Sequence, residues 1–262
     1  MNVTFEIKGP VGWITLARPE AMNALSRDMV DTMAAKLAEW QNDPQVRVLV
    51  VTGTGRAFCA GADLKAADSG KDADGNPVHG KPDFLDAIVV FFDRLRSFPR
   101  PVIAAVNGLA VAGGLETVMC CDFIIAARSA RFGDAHSNFG VFPGGGGAAI
   151  LPRKIPVNMA KYLLFTGDSL PAEDMKTYGL VSEVVADEEL QTRVQALGEK
   201  LADKSPIVLT RMKRVADEAA DKSQADALRH EVLELRNHQR SYDIQEGLRA
   251  FAEKRKPEFK GY

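Results

Sequence analysis

The chain has 262 residues, 46% hydrophobic and 26% charged, which is ordinary for a globular protein with a core of its own. Its formal net charge of −2 argues against a surface for nucleic acid or an anionic membrane. The three cysteines, Cys59, Cys120 and Cys121, lack metal-ligand spacing, so we expect no metal site and a reducing, cytoplasmic location. The sequence shows no signal-peptide pattern and no apolar run of membrane-spanning length, so no membrane association is expected.

The first hundred residues show the alternation of a β/α protein. Two alternating runs around Gly9-Pro10 predict a hairpin, and Ser26 is placed to cap a helix that reaches about residue 41. The further predictions here are a strand over 46–52, a segment over 53–65 that runs from strand through a tight loop to a helix start, a polar exposed loop over 68–83, and a helix over 84–97.

The middle of the chain repeats strand, turn and helix. An apolar run over 102–106 meets a turn at Asn107-Gly108, and Gly113-Gly114 then opens a helix with Glu116 in its first turn. A second apolar run over 123–127 precedes a loop that contains His136. The later predictions are helices over 157–165, 171–178 and 188–204, a strand near 180–185, and almost wholly helical structure from 205 onward. The pattern predicts an α/β fold, with a β/α core over 1–200 and a helical region over 201–262.

The chemistry suggested by the sequence lies in two small-residue segments. Glycines at the start of a helix allow a ligand to approach backbone N–H groups closely. N–H groups at Ala62 and Gly113, if they converge, form an oxyanion hole. A carboxylate at Glu116 and an imidazole at His136 are groups that move protons. The glycine run 144–147 lacks the Lys-Ser/Thr ending of a nucleotide-binding loop, so close backbone packing is the favoured interpretation.

Six segments carry a resemblance to a known family over nearly the whole chain. They are R-P-E-A-M-N-A-L at 18–25, G-R-A-F-C-A-G-A-D-L at 55–64, P-V-I-A-A-V-N-G-L-A-V-A-G-G-L-E at 101–116, C-D-F-I-I-A-A-R-S-A-R-F-G at 121–133, F-P-G-G-G-G at 142–147 and the stretch 165–185, and the tail F-A-E-K-R-K-P-E-F-K at 251–260 also matches. The chain resembles the enoyl-CoA hydratase/isomerase (crotonase) superfamily.

This resemblance implies a crotonase-like spiral of ββα units with a helical C-terminal trimerisation region. It also implies homotrimers or homohexamers, an acyl-CoA substrate, and no cofactor beyond the CoA thioester itself. The two oxyanion-hole N–H groups of the family fall on Ala62 and Gly113. The implied CoA contacts are Ala60, Asp63, Leu64 and Lys65, with Lys254 reaching CoA from a neighbouring subunit.

One position departs from the family pattern. Hydratases of this family carry two glutamates; the first matches Glu116, and His136 stands where the second is expected. An imidazole titrates near neutrality and can accept or donate a proton, so we expect a hydratase-like lyase that adds water to a 2-enoyl-CoA through an oxyanion-stabilised enolate. Acyl-CoA hydrolysis, C–C bond cleavage and non-catalytic acyl-CoA binding remain alternatives. Asp134 is an alternative proton donor, or a residue that orients the His136 ring.

Overall fold

A computed structural model describes residues 2–63 and 83–262. Two predicted CoA contacts, Leu64 and Lys65, therefore lie outside the described residues, as does most of the predicted polar loop over 68–83 and the helix start expected after Ala62.

The described residues form two sheets. In chain order their strands are β1 (Val3–Lys8), β2 (Val11–Leu16), β3 (Val48–Gly53), β4 (Ala57–Cys59), β5 (Val102–Val106), β6 (Leu109–Val111), β7 (Phe123–Ala127), β8 (Arg131–Gly133), β9 (Ser169–Pro171) and β10 (Glu183–Val185). The larger sheet has the order β1-β2-β3-β5-β7-β10, and the smaller one has the order β4-β6-β8-β9. Only β1–β2 and β8–β9 pair antiparallel; the other neighbours are parallel.

The two sheets arise from a repeated unit of two strands. β3, β5 and β7 each enter the larger sheet, and the short strand that follows each of them enters the smaller sheet. All of β5 is buried, as expected of a parallel strand covered on both faces. The described segments that follow β4 and β6, which contain Ala62 and Gly113, are thereby stacked side by side. This stacking is the crotonase-like spiral that the resemblance implied.

The helices are α1 (Arg27–Trp40), α2 (Phe84–Arg96), α3 (Gly113–Met119), α4 (Leu151–Lys154), α5 (Val157–Thr166), α6 (Ala172–Thr177), α7 (Leu190–Ala202), α8 (Pro206–Ala219), α9 (Gln224–His238) and α10 (Tyr242–Glu253). Ser26 caps α1 as predicted, with its hydroxyl accepting from the Met29 N–H at 3.4 Å. α1 packs against α2, and α7 packs against the larger sheet. Within 2–63 and 83–262, no helix combines the length and apolar character needed to cross a membrane.

The hairpin and the long helices are confirmed, with ends that shift by one or two residues. Two predictions need correction. His136 is not in an irregular loop but begins a 3-10 helix, His136–Phe139. The chain beyond α10 is not helical, because Lys254 adopts a left-handed conformation with φ 54° and ends the helix. The domain boundary near residue 200 remains a prediction; it falls in the last turn of α7.

Candidate active site

The first loop of the site is fixed by a single backbone bridge. Leu25 N–H donates to the Gly61 carbonyl at 2.8 Å, and Asp63 N–H donates to the Leu25 carbonyl at 2.9 Å. Gly61 has φ +102°, a conformation that residues with side chains rarely adopt. These bonds hold Ala62 between its neighbours, and its own N–H donates to no group within the described residues.

The second loop places Gly113 against the first. α3 begins at Gly113, and the first N–H groups of a helix have no partner inside the helix. A Cβ atom built on Gly113 would lie 3.4 Å from the Ala62 nitrogen. The same construction on Gly114 would lie 2.1 Å from the Cys59 carbonyl oxygen, so the two loops are in direct backbone contact. The structure therefore places the backbones of Ala62 and Gly113 beside each other, and an oxyanion hole formed by their N–H groups stays a prediction.

Glu116 lies one turn into α3 and is 3% exposed. Its Oε1 accepts two backbone hydrogen bonds, from Gly145 N–H at 2.7 Å and from Gly147 N–H at 3.2 Å. A Cβ on Gly145 would stand 2.7 Å from Oε2 and 2.2 Å from Cε2 of Phe92, so this position has no room for a side chain. The glycine run thus fixes the carboxylate, and within residues 2–63 and 83–262 Oε2 is the oxygen without a backbone donor.

His136 is held by the residue two positions before it. Its Nδ1 lies 3.0 Å from Asp134 Oδ1, and its backbone N–H donates to the same oxygen at 3.3 Å. Asp134 is 1% exposed, and Ala135 between them has φ 62°, which turns the chain sharply enough for the imidazole to reach the carboxylate. The candidate site therefore combines the two predicted N–H donors with one fixed carboxylate and one carboxylate–imidazole pair.

Comparison with known proteins places this chain in a family. The family model described as "Enoyl-CoA hydratase/isomerase" matches residues 6–262. The chain belongs to the enoyl-CoA hydratase/isomerase family. It is 36% identical to a probable mitochondrial enoyl-CoA hydratase of Dictyostelium discoideum, over 97% of this chain and 89% of that protein. It is 33% identical to an (E)-benzylidenesuccinyl-CoA hydratase of Thauera aromatica over the full length of both.

A solved structure shows the same fold. A crystal structure of an enoyl-CoA hydratase from Bacillus anthracis matches with a TM-score of 0.92 and 34% identity, covering 100% of both chains. This confirms the crotonase-like fold expected from the sequence. Because the family model and the relatives cover the chain almost completely, this family member is an enzyme, a lyase of the hydratase/isomerase type.

The surroundings of the His136 imidazole shift its pKa. Burial lowers the pKa of His136, but the hydrogen bond to Asp134 and the charges of Asp134 and Glu116 outweigh it, so the pKa lies above its ordinary value of 6.5. The protonated ring is consequently favoured in the folded protein. A ring that carries the proton can act as a proton donor.

The raised pKa predicts a pH-dependent contribution to stability. A group that binds its proton more tightly when folded stabilises the fold fully below pH 6.5 and loses that contribution as the pH rises through its folded pKa. His136→Gln should therefore lower the free energy of unfolding more at about pH 5 than at about pH 9. Chemical denaturation of both proteins across this range checks it. A difference that grows with pH would contradict the direction of the shift.

The remaining predicted residues are placed as follows. Ala60 donates its N–H to the Met22 carbonyl at 3.0 Å, and the Asp63 carboxylate accepts from Arg18 Nη1 at 2.7 Å. Lys254 is exposed at the end of α10. Cys59 is buried, and burial raises the pKa of its thiol to about 12, which agrees with a packing role. Among the described residues, no group of three or more His, Cys, Asp or Glu side chains is arranged to hold a metal.

Two contributions to the site were missed at the level of sequence. The glycine run 144–147 packs closely, as expected, but its donation of two N–H groups to Glu116 was not predicted. The only hint in the sequence was the glycine run that follows the His136 segment. A glycine run does not show which acceptor its N–H groups will bind. Phe92 was also missed, because a phenylalanine on the buried face of α2 looks like any other core residue.

Proposed function

We propose that this protein hydrates 2-enoyl-CoA thioesters, with Ala62 and Gly113 holding the thioester oxygen and Glu116 and His136 moving the protons. The single observation that carries the proposal is the fixed carboxylate of Glu116, which accepts hydrogen bonds from the N–H groups of Gly145 and Gly147. Glu116 lies in the first turn of α3, the same helix that supplies the Gly113 N–H. A base held beside an oxyanion hole is the arrangement that addition of water to a conjugated thioester requires.

The first step uses the oxyanion hole and the base. With its carbonyl oxygen bound by the two N–H groups, the thioester has an electrophilic β-carbon. Glu116 takes a proton through Oε2 from a water molecule as the water oxygen forms its bond to the β-carbon. The electron pair of the double bond moves toward the carbonyl, and the resulting enolate oxygen is stabilised by Ala62 and Gly113.

The second step uses the imidazolium. His136 gives its proton to the α-carbon, the enolate electron pair forms the new C–H bond, and the product is a 3-hydroxyacyl thioester. The raised pKa of His136 supports this role, because the shift favours the protonated ring that donates to the α-carbon. The proton taken by Glu116 then returns to the solvent and His136 is recharged, so one water is consumed per turnover.

His136, which we infer stands in place of the second family glutamate, gives the test. The ultraviolet absorbance of conjugated enoyl thioesters, short and long, is followed with wild type, His136→Ala and His136→Glu. We expect hydration by wild type, a loss of about 10²- to 10⁴-fold in His136→Ala, and partial activity in His136→Glu. Inactive wild type with active His136→Glu would mean that the scaffold is competent and that the natural reaction is different.

One observation favours a second candidate reaction. A carboxylate bound to an imidazole is also the arrangement that activates water for attack on a carbonyl carbon, and Asp134 and His136 form such a pair. In that case the protein hydrolyses the thioester, or cleaves a C–C bond through the same enolate. Release of free CoA thiol, or loss of a β-dicarbonyl chromophore, separates these reactions from hydration.

We further propose that CoA lies along the loop that contains Ala60 and Asp63 and continues to Leu64 and Lys65, with Lys254 of a neighbouring subunit as an additional contact. Asp63 would contribute through its backbone, since its carboxylate is paired with Arg18. Assembly as a homotrimer or homohexamer and a cytoplasmic location belong to the same proposal. The assembly is supported by the resemblance and by the exposure of large apolar side chains on α9 and α10, among them Leu233 and Phe251. The cytoplasmic location is supported by the three cysteines, which are free and buried.

A further inference from the structure

The carboxylate of Asp134 is almost completely buried, although the residue lies outside the strands and helices. The residue follows β8 directly and is 1% exposed. Its Oδ1 faces both the ring and the backbone N–H of His136, and its Oδ2 has no hydrogen-bond partner among the described residues. Burying a carboxylate in this way costs free energy, so its retention calls for a compensating role.

The surrounding backbone is built around this carboxylate. Ala135 has φ 62°, which brings the His136 ring back over the residue before it. A Cβ on Gly147 would lie 2.5 Å from Asp134 Oδ2, so the absence of a side chain at Gly147 makes room for the acid. The N–H of the same Gly147 donates to Glu116. One glycine therefore borders both carboxylates of the site.

We propose that Asp134 is a positioning residue that keeps a proton on Nδ1 of His136 and leaves Nε2 as the ring atom that exchanges protons with the substrate. A carboxylate in its ionised form only accepts hydrogen bonds, so in the proposed arrangement Nδ1 is the donor of the 3.0 Å contact. Nε2 has no partner among the described residues, and the His136 side chain keeps 13% of its surface exposed. The charged groups that act on the ring are Asp134 and Glu116.

Nuclear magnetic resonance of wild type tests the ring assignment without any substrate. Long-range ¹H–¹⁵N spectra recorded across pH, with His136→Gln to assign the signal, report which ring nitrogen keeps its proton when the imidazole is neutral. We expect the Nδ1–H form for His136. Detection of the Nε2–H form would overturn the proposal, whatever reaction the protein catalyses.

The kinetic test rests on the proposed function. Asp134→Asn removes the charge that raises the pKa of His136, so the ring should titrate at a lower pH, while the His230 signal stays unchanged as an internal control. We expect kcat for hydration to fall by about 10-fold or more, its alkaline limb to move to lower pH, and KM to change little. Unchanged kcat, pH profile and His136 titration in a folded Asp134→Asn protein would overturn the role.

Failure of the hydratase proposal and failure of the positioning role of Asp134 give different results. If wild type hydrates no enoyl thioester, the spectra still decide whether Asp134 fixes the His136 ring. If hydration is found but His136 shows the Nε2–H form, the hydratase proposal stands and the positioning role is wrong. Thermal unfolding of Asp134→Asn separates a loss of fold from a loss of positioning, and the wild-type spectra do not depend on that variant.

Discussion

Glu116→Gln is expected to lower kcat for enoyl thioester hydration by about 10²- to 10⁴-fold, the range that a positioned general base contributes. The amide oxygen of glutamine can accept the Gly145 and Gly147 N–H groups at the place of Oε1, so the fold and KM should change little. The amide cannot take a proton from water. Steady-state absorbance assays with circular dichroism spectra of both proteins measure the two effects separately.

Glu183→Gln is a matched control for Glu116→Gln. Glu183 is a partly buried glutamate on β10 whose carboxylate accepts from Arg193 Nε at 2.9 Å. Its replacement removes a carboxylate of similar chemistry without touching the glycine run, and kcat should remain near that of wild type. Equal losses in the two variants, or full activity of Glu116→Gln, would show that Glu116 is not the base.

Gly113→Ala is expected to lose activity but keep its fold, whereas Gly114→Ala is expected to lose stability. In the part of the chain that the structure describes, a methyl group at Gly113 meets no atom closer than 3.4 Å, so the protein should fold. The methyl lies beside the Ala62 nitrogen, where the thioester oxygen would bind. We expect activity to fall by about 10²-fold or more, comparable to the loss of an oxyanion-hole donor. The same activity assay, combined with thermal unfolding, measures this variant.

A methyl group at Gly114 would stand 2.1 Å from the Cys59 carbonyl oxygen, and backbone must move to admit it. We expect Gly114→Ala to lose about 1–3 kcal/mol of unfolding free energy, as over-packed interiors do. Denaturant titration measures this loss. A stable Gly114→Ala together with a destabilised Gly113→Ala would contradict the contact of the two loops described above.

Local pattern predicted most of the regular structure. The α1 helix and its Ser26 cap, the buried β5 strand and the opening of α3 by Gly113 depend on periodicity, capping and glycine, which act over a few residues. Three strands of the smaller sheet, β6, β8 and β9, were not predicted. Each has three residues, for example Leu109–Val111, and such a segment is too short to show an alternating pattern.

The candidate site also has features that the sequence predicts and features that only the fold determines. The sequence by itself determined the residue types, Glu116 at a helix start and His136 in a glycine-rich segment, and through them the family. Only the tertiary structure decided which groups meet: Gly145 and Gly147 donate to Glu116 from 29 and 31 residues away, and Asp134 is buried where Gly147 has no side chain. Hydrogen bonds and excluded volume act between neighbours in space, and the folded sheets and loops, not the spacing along the chain, determine those neighbours.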